Sequence, residues 1–344
     1  MKALILSEYN RLDYVDYPVP EIRPHDVLVR VRACGICGSD IHGLDGSSGR
    51  RLPPLIMGHE AAGDIERVGS EVARWKVGDR VTFDSTIYCG SDCDPCRRGL
   101  TNLCEQRKVV GVSIPEYRAH GAFAEYVALP EHILYRLPEA VTYQQGAGVE
   151  PLSIAVHAVS LAPVTPDSSV VVVGSGVIGL MLIQVLHAKD VHNIVAVDLS
   201  PDRLTMAAKL GATTTLLSNE PDILARIRSL TSPDGADVTF EAVGITPTVT
   251  LAIESARKGG TVVLVGNVSP QVTVPLQAIV TRQLTVHGSA TSCGEYPECI
   301  DLIASGKVDA MALIGAVAPL SEGAAWFERL RNGENGLIKV ILEP

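Results

Sequence analysis

Cys37, His59 and Glu60 are the residues of this chain best suited to do chemistry. They stand in Cys34-Gly-Ile-Cys-Gly-Ser-Asp-Ile-His42 and Gly58-His-Glu60. A thiolate, an imidazole and a carboxylate are ligand types that Zn²⁺ accepts, and a catalytic zinc keeps three protein ligands and one open position. Glu150, in Val149-Glu-Pro-Leu152, competes with Glu60 for the third place. With one thiolate and one carboxylate the Zn²⁺ site is neutral, and a second carboxylate makes it negative. One glutamate is therefore expected to bind directly and the other through water or by exchange. Ser39 and His42 offer a hydroxyl and an imidazole for passing a proton to water. Asp40 is placed to orient His59 from behind.

The other reactant is signalled by Gly174-Ser-Gly176-Val177-Ile178-Gly179, with Asp198 following 19 residues after Gly179. Each position has a physical task. Gly174 permits a tight turn, Gly176 lets backbone approach a pyrophosphate, and Gly179 lets helix and strand pack closely. The N-terminus of the helix that begins at Val177 then holds the phosphates. A carboxylate at Asp198 accepts from the adenosine ribose hydroxyls and repels a 2′-phosphate, which favours NAD over NADP. Arg203 tempers that preference, since an arginine nearby can meet a 2′-phosphate. A metal acting as Lewis acid on an alcohol, a hydride passing to nicotinamide and a proton leaving through Ser39 and His42 form one consistent reaction.

A second cysteine group, Cys89, Cys93, Cys96 and Cys104, is packed into a short stretch. Clustered cysteines without a visible signal peptide read as metal ligands more readily than as disulfides, and the cytoplasm is the expected compartment.

These groups need elements to position them. The 344 residues exceed one ordinary core and predict two domains. Residues 1–154 carry short β-type runs, such as Val27–Val31, Ala62–Val68 and Asp79–Phe83, with dense proline and glycine punctuation. Over residues 155–289 strands alternate with helices. Val170–Val173 is a buried strand, Val177–Lys189 a helix, and Asn193–Asp198 the next strand, with Ser200 as cap and Pro201 at the first helical position. That alternation predicts an α/β fold with a doubly wound parallel sheet. Residues 290–344 turn helical and end in Ile338–Leu342, a strand able to rejoin the first domain. Val170–Leu186 is apolar, but its glycine interruption argues for a buried strand and helix over a membrane span. The net charge of −10 and the lack of basic runs argue against a nucleic-acid partner.

Taken together, the Cys37 and Gly-His-Glu segments, Val77-Gly-Asp-Arg-Val81, Gly121-Ala-Phe-Ala-Glu-Tyr126, Glu150-Pro-Leu-Ser153 and the glycine fingerprint resemble the zinc-dependent medium-chain dehydrogenase/reductase family over essentially the whole chain. Glu60 and Glu150-Pro-Leu152 resemble its polyol (sorbitol-type) and threonine dehydrogenase branch. The resemblance implies a GroES-like β-barrel catalytic domain, a six-stranded Rossmann domain and a homotetramer or homodimer. It implies that Lys339 lies near the cofactor pyrophosphate and that Val243, Val265 and Gly266 line the nicotinamide side. It also implies a structural zinc on Cys89, Cys93, Cys96 and Cys104, although the first spacing is one residue longer than the family's.

The expected activity is NAD-dependent oxidation of a secondary alcohol, a polyol or sugar-derived alcohol, to a ketone. A threonine-type amino-alcohol dehydrogenase is the alternative, and a non-catalytic nucleotide-binding relative is disfavoured by the complete ligand set. Sorbitol-type enzymes carry an aromatic after the relay histidine and an Arg-Tyr pair after the last Rossmann strand. This chain has Gly43-Leu44 and Thr291-Ser292 at those places, which argues against sorbitol itself. Tyr117, Arg118 and His120 are substitutes for those grips, against the simpler reading of a solvated loop.

Overall fold

A computed structural model describes residues 1–344 apart from Pro115, Glu116, Pro233 and Asn335. The chain divides into two compact units. One comprises Met1–Glu150, Tyr296–Ser305 and Asp309–Pro344, and the other Pro151–Glu295 with Gly306–Val308. Among the described residues, no helix is long and apolar enough to cross a membrane.

The first unit is built on a seven-stranded sheet. Its path runs Leu134–Arg136, Arg80–Phe83, Glu60–Val68, Asp26–Gly35, Lys339–Glu343 and Ile314–Pro319, with Tyr126–Pro130 also paired to Asp26–Gly35. The strand Asp26–Gly35 alternates buried and exposed residues along its middle, and its inward Val27, Val29 and Val31 join a core with Leu4, Leu6, Phe83, Phe123 and Phe327. The last strand enters antiparallel to it, with Ile341 opposite Gly35 and Leu342 opposite Cys34. That register carries the chain's C-terminal segment to the residues around Cys37 and Glu60.

The second unit holds a six-stranded sheet in the order Thr214–Leu217, Asn193–Asp198, Ser169–Val173, Ala236–Glu241, Ala256–Leu264, Thr285–Gly288. Every pair is parallel. In chain order this is 3-2-1-4-5-6, with the reversal beside Ser169–Val173, where a dinucleotide fold binds its ligand. Val170–Val173 are all buried, as a central parallel strand covered on both faces must be.

Tyr296–Ser305 and Asp309–Pro344 group with the first unit. Residues up to Glu295 stay with the second unit, and the His157 ring nitrogen Nδ1 lies 2.6 Å from Glu295 Oε1 there. The change of pattern at 290 marked the end of strand alternation, whereas this ion pair joins residues 138 positions apart.

Gly179 is where helix Val177–Ala188 crosses the turn after Ser169–Val173. A Cβ there would stand 1.8 Å from the Gly174 carbonyl oxygen, which is backbone and has nowhere to go. Gly179→Ala is expected to cost about 1–3 kcal/mol of stability or more, read as a lower denaturant midpoint in urea. An unchanged midpoint would show that the close approach is not required.

Candidate metal and dinucleotide sites

Cys37 is the N-cap of the short helix Gly38–Leu44. Its sulfur accepts from the Ser39 amide at 3.5 Å, and Asp40 Oδ2 reaches back to accept from the Cys37 amide at 3.2 Å. This is a capping box with sulfur in place of a hydroxyl. The helix puts Ser39 and His42 three residues apart on its outer face, where both are exposed, and turns Asp40 inward with no exposure at all.

His59 and Glu60 enter from the start of the strand Glu60–Val68 and are both buried. The ligand atoms of Cys37, His59 and Glu60 all lie within 4.8 Å of one another. His59 Nδ1 is 3.5 Å from Asp40 Oδ1 and makes no hydrogen bond of normal geometry. One sulfur, one nitrogen and one oxygen converging with a carboxylate behind the histidine is a donor set that fits Zn²⁺. Glu150 falls outside this group of three. It is buried in the first turn of the helix Val149–Ser160, and its Oε1 accepts from Ser85 Oγ at 3.1 Å.

The charges explain how so many ionisable groups share one interior. Burial works against an ionised Asp40, but the His59 ring and the Arg51 guanidinium outweigh it and hold the carboxyl at about 2. Burial pushes Glu150 up to about 7; nearby Glu60 adds to this, against the pull of His59, Lys339 and Ser85. Lys339 is buried and forms an ion pair with Glu60. Burial lowers its pKa, yet the carboxylate of Glu60 and then the sulfur of Cys37 carry it above the usual lysine range.

Lys339, expected near the cofactor pyrophosphate, pairs its ammonium with Glu60 in this structure. The register that pairs the last strand with Gly35, itself opposite Glu60, puts the two side chains together. Gly35 makes the room: a Cβ there would lie 2.3 Å from Glu60 Oε2 and 3.0 Å from Lys339 Cε. Arg51 is a residue of the site that the sequence did not mark. It is 2 % exposed and donates from Nη2 to Ser39 Oγ and to Asp40 Oδ1, both at 3.1 Å. Nothing in the spacing of the doublet Arg50-Arg51 signals burial.

The four-cysteine lobe closes despite its longer first spacing. Cys89, Cys93, Cys96 and Cys104 place their sulfurs within 4.8 Å of one another. The Cys89 and Cys93 sulfurs are 3.5 Å apart, and the amides of Cys89 and Gln106 point at Cys104 Sγ at 3.4 and 3.3 Å. Four thiols in one cluster fit a closed tetrahedral Zn²⁺ site. Of the loop residues considered as substrate grips, Arg118 donates to the Pro53 and Pro54 carbonyls, and His120 Nδ1 accepts from the Ile56 amide at 3.2 Å. Both hold the segment leading to His59. The side chain of Tyr117 lies outside the described residues.

In the second unit Gly174 adopts φ +97°, a left-handed conformation that suits glycine. Gly176 has nothing within 4 Å of a notional Cβ and caps the helix Val177–Ala188, leaving bare backbone for an approaching phosphate. Val177 and Ile178 form the half-buried first turn of that helix. Asp198 Oδ2 accepts from the Ser175 amide at 2.7 Å and Oδ1 from the Ser200 amide at 2.8 Å, which fixes the carboxylate beside the glycine turn. Arg203 is exposed on the helix Pro201–Lys209. Val243, Val265 and Gly266 meet beyond the C-terminal ends of the strands Ala236–Glu241 and Ala256–Leu264. The fully buried Glu241 accepts from the Val243 and Gly244 amides at 3.0 and 2.8 Å and holds that turn.

With this geometry in place, comparison with known proteins is specific. Residues 23–139 match the alcohol dehydrogenase GroES-like domain, and residues 177–305 match the zinc-binding dehydrogenase domain. The chain is 40% identical to a D-xylulose reductase A of Aspergillus niger, over 99% of this chain and 96% of that protein. A zinc-binding dehydrogenase of Sinorhizobium meliloti 1021, solved with NADP, superposes with a TM-score of 0.90 at 30% identity, covering 100% of this chain and 99% of that one. An alcohol dehydrogenase of Escherichia coli CFT073, solved with NADH, gives 0.93 at 28% identity with the same coverage.

Metal analysis is expected to return two zinc ions per chain, and a single ion with full activity would exclude the cysteine lobe as a site. The raised pKa of Glu150 fixes a sign for the metal-free protein. Its buried carboxyl favours the fold while protonated, so that contribution is complete below about 4.5 and is lost as pH rises through about 7. Denaturation of the chelated protein across this window should show a decline in stability that Glu150→Gln removes. Parallel curves for the two proteins would contradict the assignment.

Proposed function

The chain belongs to the zinc-dependent medium-chain dehydrogenase/reductase family, and from that premise we propose that it interconverts a secondary hydroxyl of a polyol or sugar-derived alcohol with the corresponding ketone, using NAD. The convergence of Cys37, His59 and Glu60, with Asp40 behind His59, is the observation that carries this reading. These three residues are the proposed zinc ligands, and Cys89, Cys93, Cys96 and Cys104 those of a structural zinc. Bound at the first group, Zn²⁺ supplies Lewis acidity to an alcohol oxygen.

The chain's own residues do the rest. Asp40 fixes the ring of His59, so the imidazole presents a set nitrogen to the metal. Lys339 offsets the charge of Glu60, and Glu150 is the second carboxylate that would exchange with it. Ser39 takes the proton of the alcohol and His42, exposed three residues on, passes it to solvent. Gly174, Gly176 and Gly179 shape the pyrophosphate turn with Val177 and Ile178 at the helix start. Asp198 accepts from the ribose hydroxyls and disfavours a 2′-phosphate, so NAD is the preferred form even with Arg203 nearby. Val243, Val265 and Gly266 border the nicotinamide. The similarity to a D-xylulose reductase supports a ketose and its polyol as the substrate pair.

A second copy of the chain is the proposed partner. The edge strand Thr285–Gly288 leaves Val286 exposed, and in the preceding helix Leu276–Thr281 Leu276 and Val280 are 64% and 67% exposed. An open, apolar edge of that kind invites pairing between like chains. The reduced cysteine clusters suit the cytoplasm.

The direct test is NADH formation at 340 nm with pentitols, hexitols, 2,3-diols and threonine. Turnover of a polyol is expected, and silence from every alcohol in zinc-loaded protein would sink the proposal. Cys37→Ser should abolish turnover and lower bound zinc. Asp198→Ala should weaken NAD binding about 10- to 100-fold, the loss of a hydrogen bond to a charged group, and unchanged discrimination between NAD and NADP would refute its role.

A further inference from the structure

Arg51 has no part in the chemistry described so far, yet it is built into it. One guanidinium nitrogen, Nη2, donates to Ser39 Oγ and to Asp40 Oδ1, each at 3.1 Å. Those two residues adjoin on one helical turn, with Ser39 facing outward and Asp40 facing His59. The same nitrogen therefore touches the proton path and the carboxylate behind a metal ligand.

Its placement is fixed from three sides. A Cβ on Gly43 would stand 2.3 Å from Arg51 Cγ, so the arginine stem crosses the helix where a glycine leaves room. The Ser113 amide donates to the Arg50 carbonyl at 3.0 Å. The Ser113 hydroxyl accepts from the Leu52 amide at 2.9 Å and lies 3.2 Å from the Leu52 carbonyl. The backbone on both sides of Arg51 is clamped by one buried serine. Burying a guanidinium is costly, and its pairing with the buried Asp40 carboxylate offsets that cost. Charge balance for Asp40 does not by itself account for the same nitrogen also donating to the hydroxyl of Ser39.

We propose that Arg51 is a positioning residue of the dehydrogenase reaction, setting the direction of proton transfer through Ser39 and the aim of Asp40 on His59. The inference rests on the dehydrogenase reading above. A serine oxygen has two lone pairs and one proton. With Arg51 donating into one lone pair, the other is left to take the proton of the alcohol, and the serine O–H is left to pass its own proton outward. One O–H bond breaks at the alcohol and one forms at Ser39 while the serine's original O–H breaks, so the serine is unchanged. Without Arg51 the hydroxyl can turn and donate to the Asp40 carboxylate, which ends the path and draws Asp40 off the imidazole.

The test compares Arg51→Met, Arg51→Lys and Gly43→Ala in the full chain, loaded with zinc and, separately, with Co²⁺. Arg51→Met should lower kcat about 10- to 100-fold, the usual range for a residue supporting a metal ligand. KM for the alcohol should change little, the solvent deuterium isotope effect on kcat should grow, and the visible bands of bound Co²⁺ should shift. Arg51→Lys, which keeps a charged donor, should recover part of each change. Gly43→Ala, which displaces Arg51 without altering a polar group, should reproduce the Met variant in milder form. Should the Met variant fail to fold, the Lys and Ala variants carry the test. Wild-type kcat, isotope effect and Co²⁺ bands in these variants would overturn the proposal, as would a loss of kcat that only tracks zinc lost. If the wild-type protein oxidises no alcohol, the dehydrogenase reading fails, and unchanged Co²⁺ bands would then overturn the role of Arg51 on their own.

Discussion

A carboxylate without access to water holds the catalytic end of this protein together. Asp40 accepts from the Cys37 amide through one oxygen and from Arg51 through the other, which also faces His59 at 3.5 Å. Two candidate ligands, from a helix cap and from a strand start, thus take their places from one side chain. An unpaired charge in that position would be untenable, so the surrounding cations are a condition for the site to exist. The carboxyl stays ionised far below neutrality because His59 and Arg51 outweigh the penalty of burial.

The same constraint spreads outward. Glu60 and Glu150 add carboxylates to the region, and Lys339 answers Glu60 from a strand near the C-terminus. Burial therefore couples residues far apart in the chain, and the close approach of Glu60 and Lys339 depends on a glycine at position 35. In the dinucleotide-binding unit, glycine plays the corresponding part at Gly179, where the turn after one strand and the following helix touch through backbone alone. Charge balance and close backbone contact, more than hydrophobic burial, decide the detail of both sites.

Much of this was legible in the order of residues. The glycine fingerprint with Asp198 predicted strand, turn and helix, because those tasks are local and each demands a particular residue type. Cys37, Ser39, Asp40 and His42 were readable for a related reason, since a single helical turn fixes which of them face inward. The six-strand order and the GroES-like domain agree with the family resemblance. The partners of Lys339 and Arg51 were not legible. Both are long cations whose partners sit 279 and 11 or 12 positions away, and sequence gives a lysine or arginine no mark of burial. Glu295 pairs with His157 of the same unit, 138 positions away, an interaction invisible to periodicity.

By itself, then, the sequence determined the chemistry available and the local scaffold. It supplied the ligand types, the helix that caps on Cys37, the glycine turn and the alternation that makes a parallel sheet. Only the tertiary structure decided which charges meet. It gave Glu60 to Lys339, shared Asp40 between His59 and Arg51, and closed the cysteine lobe over its extra residue. Local geometry follows from φ, ψ and side-chain shape and can be read in a short window. Pairing in a low-dielectric interior depends on which distant elements pack together, and strand register sets that after the chain has folded.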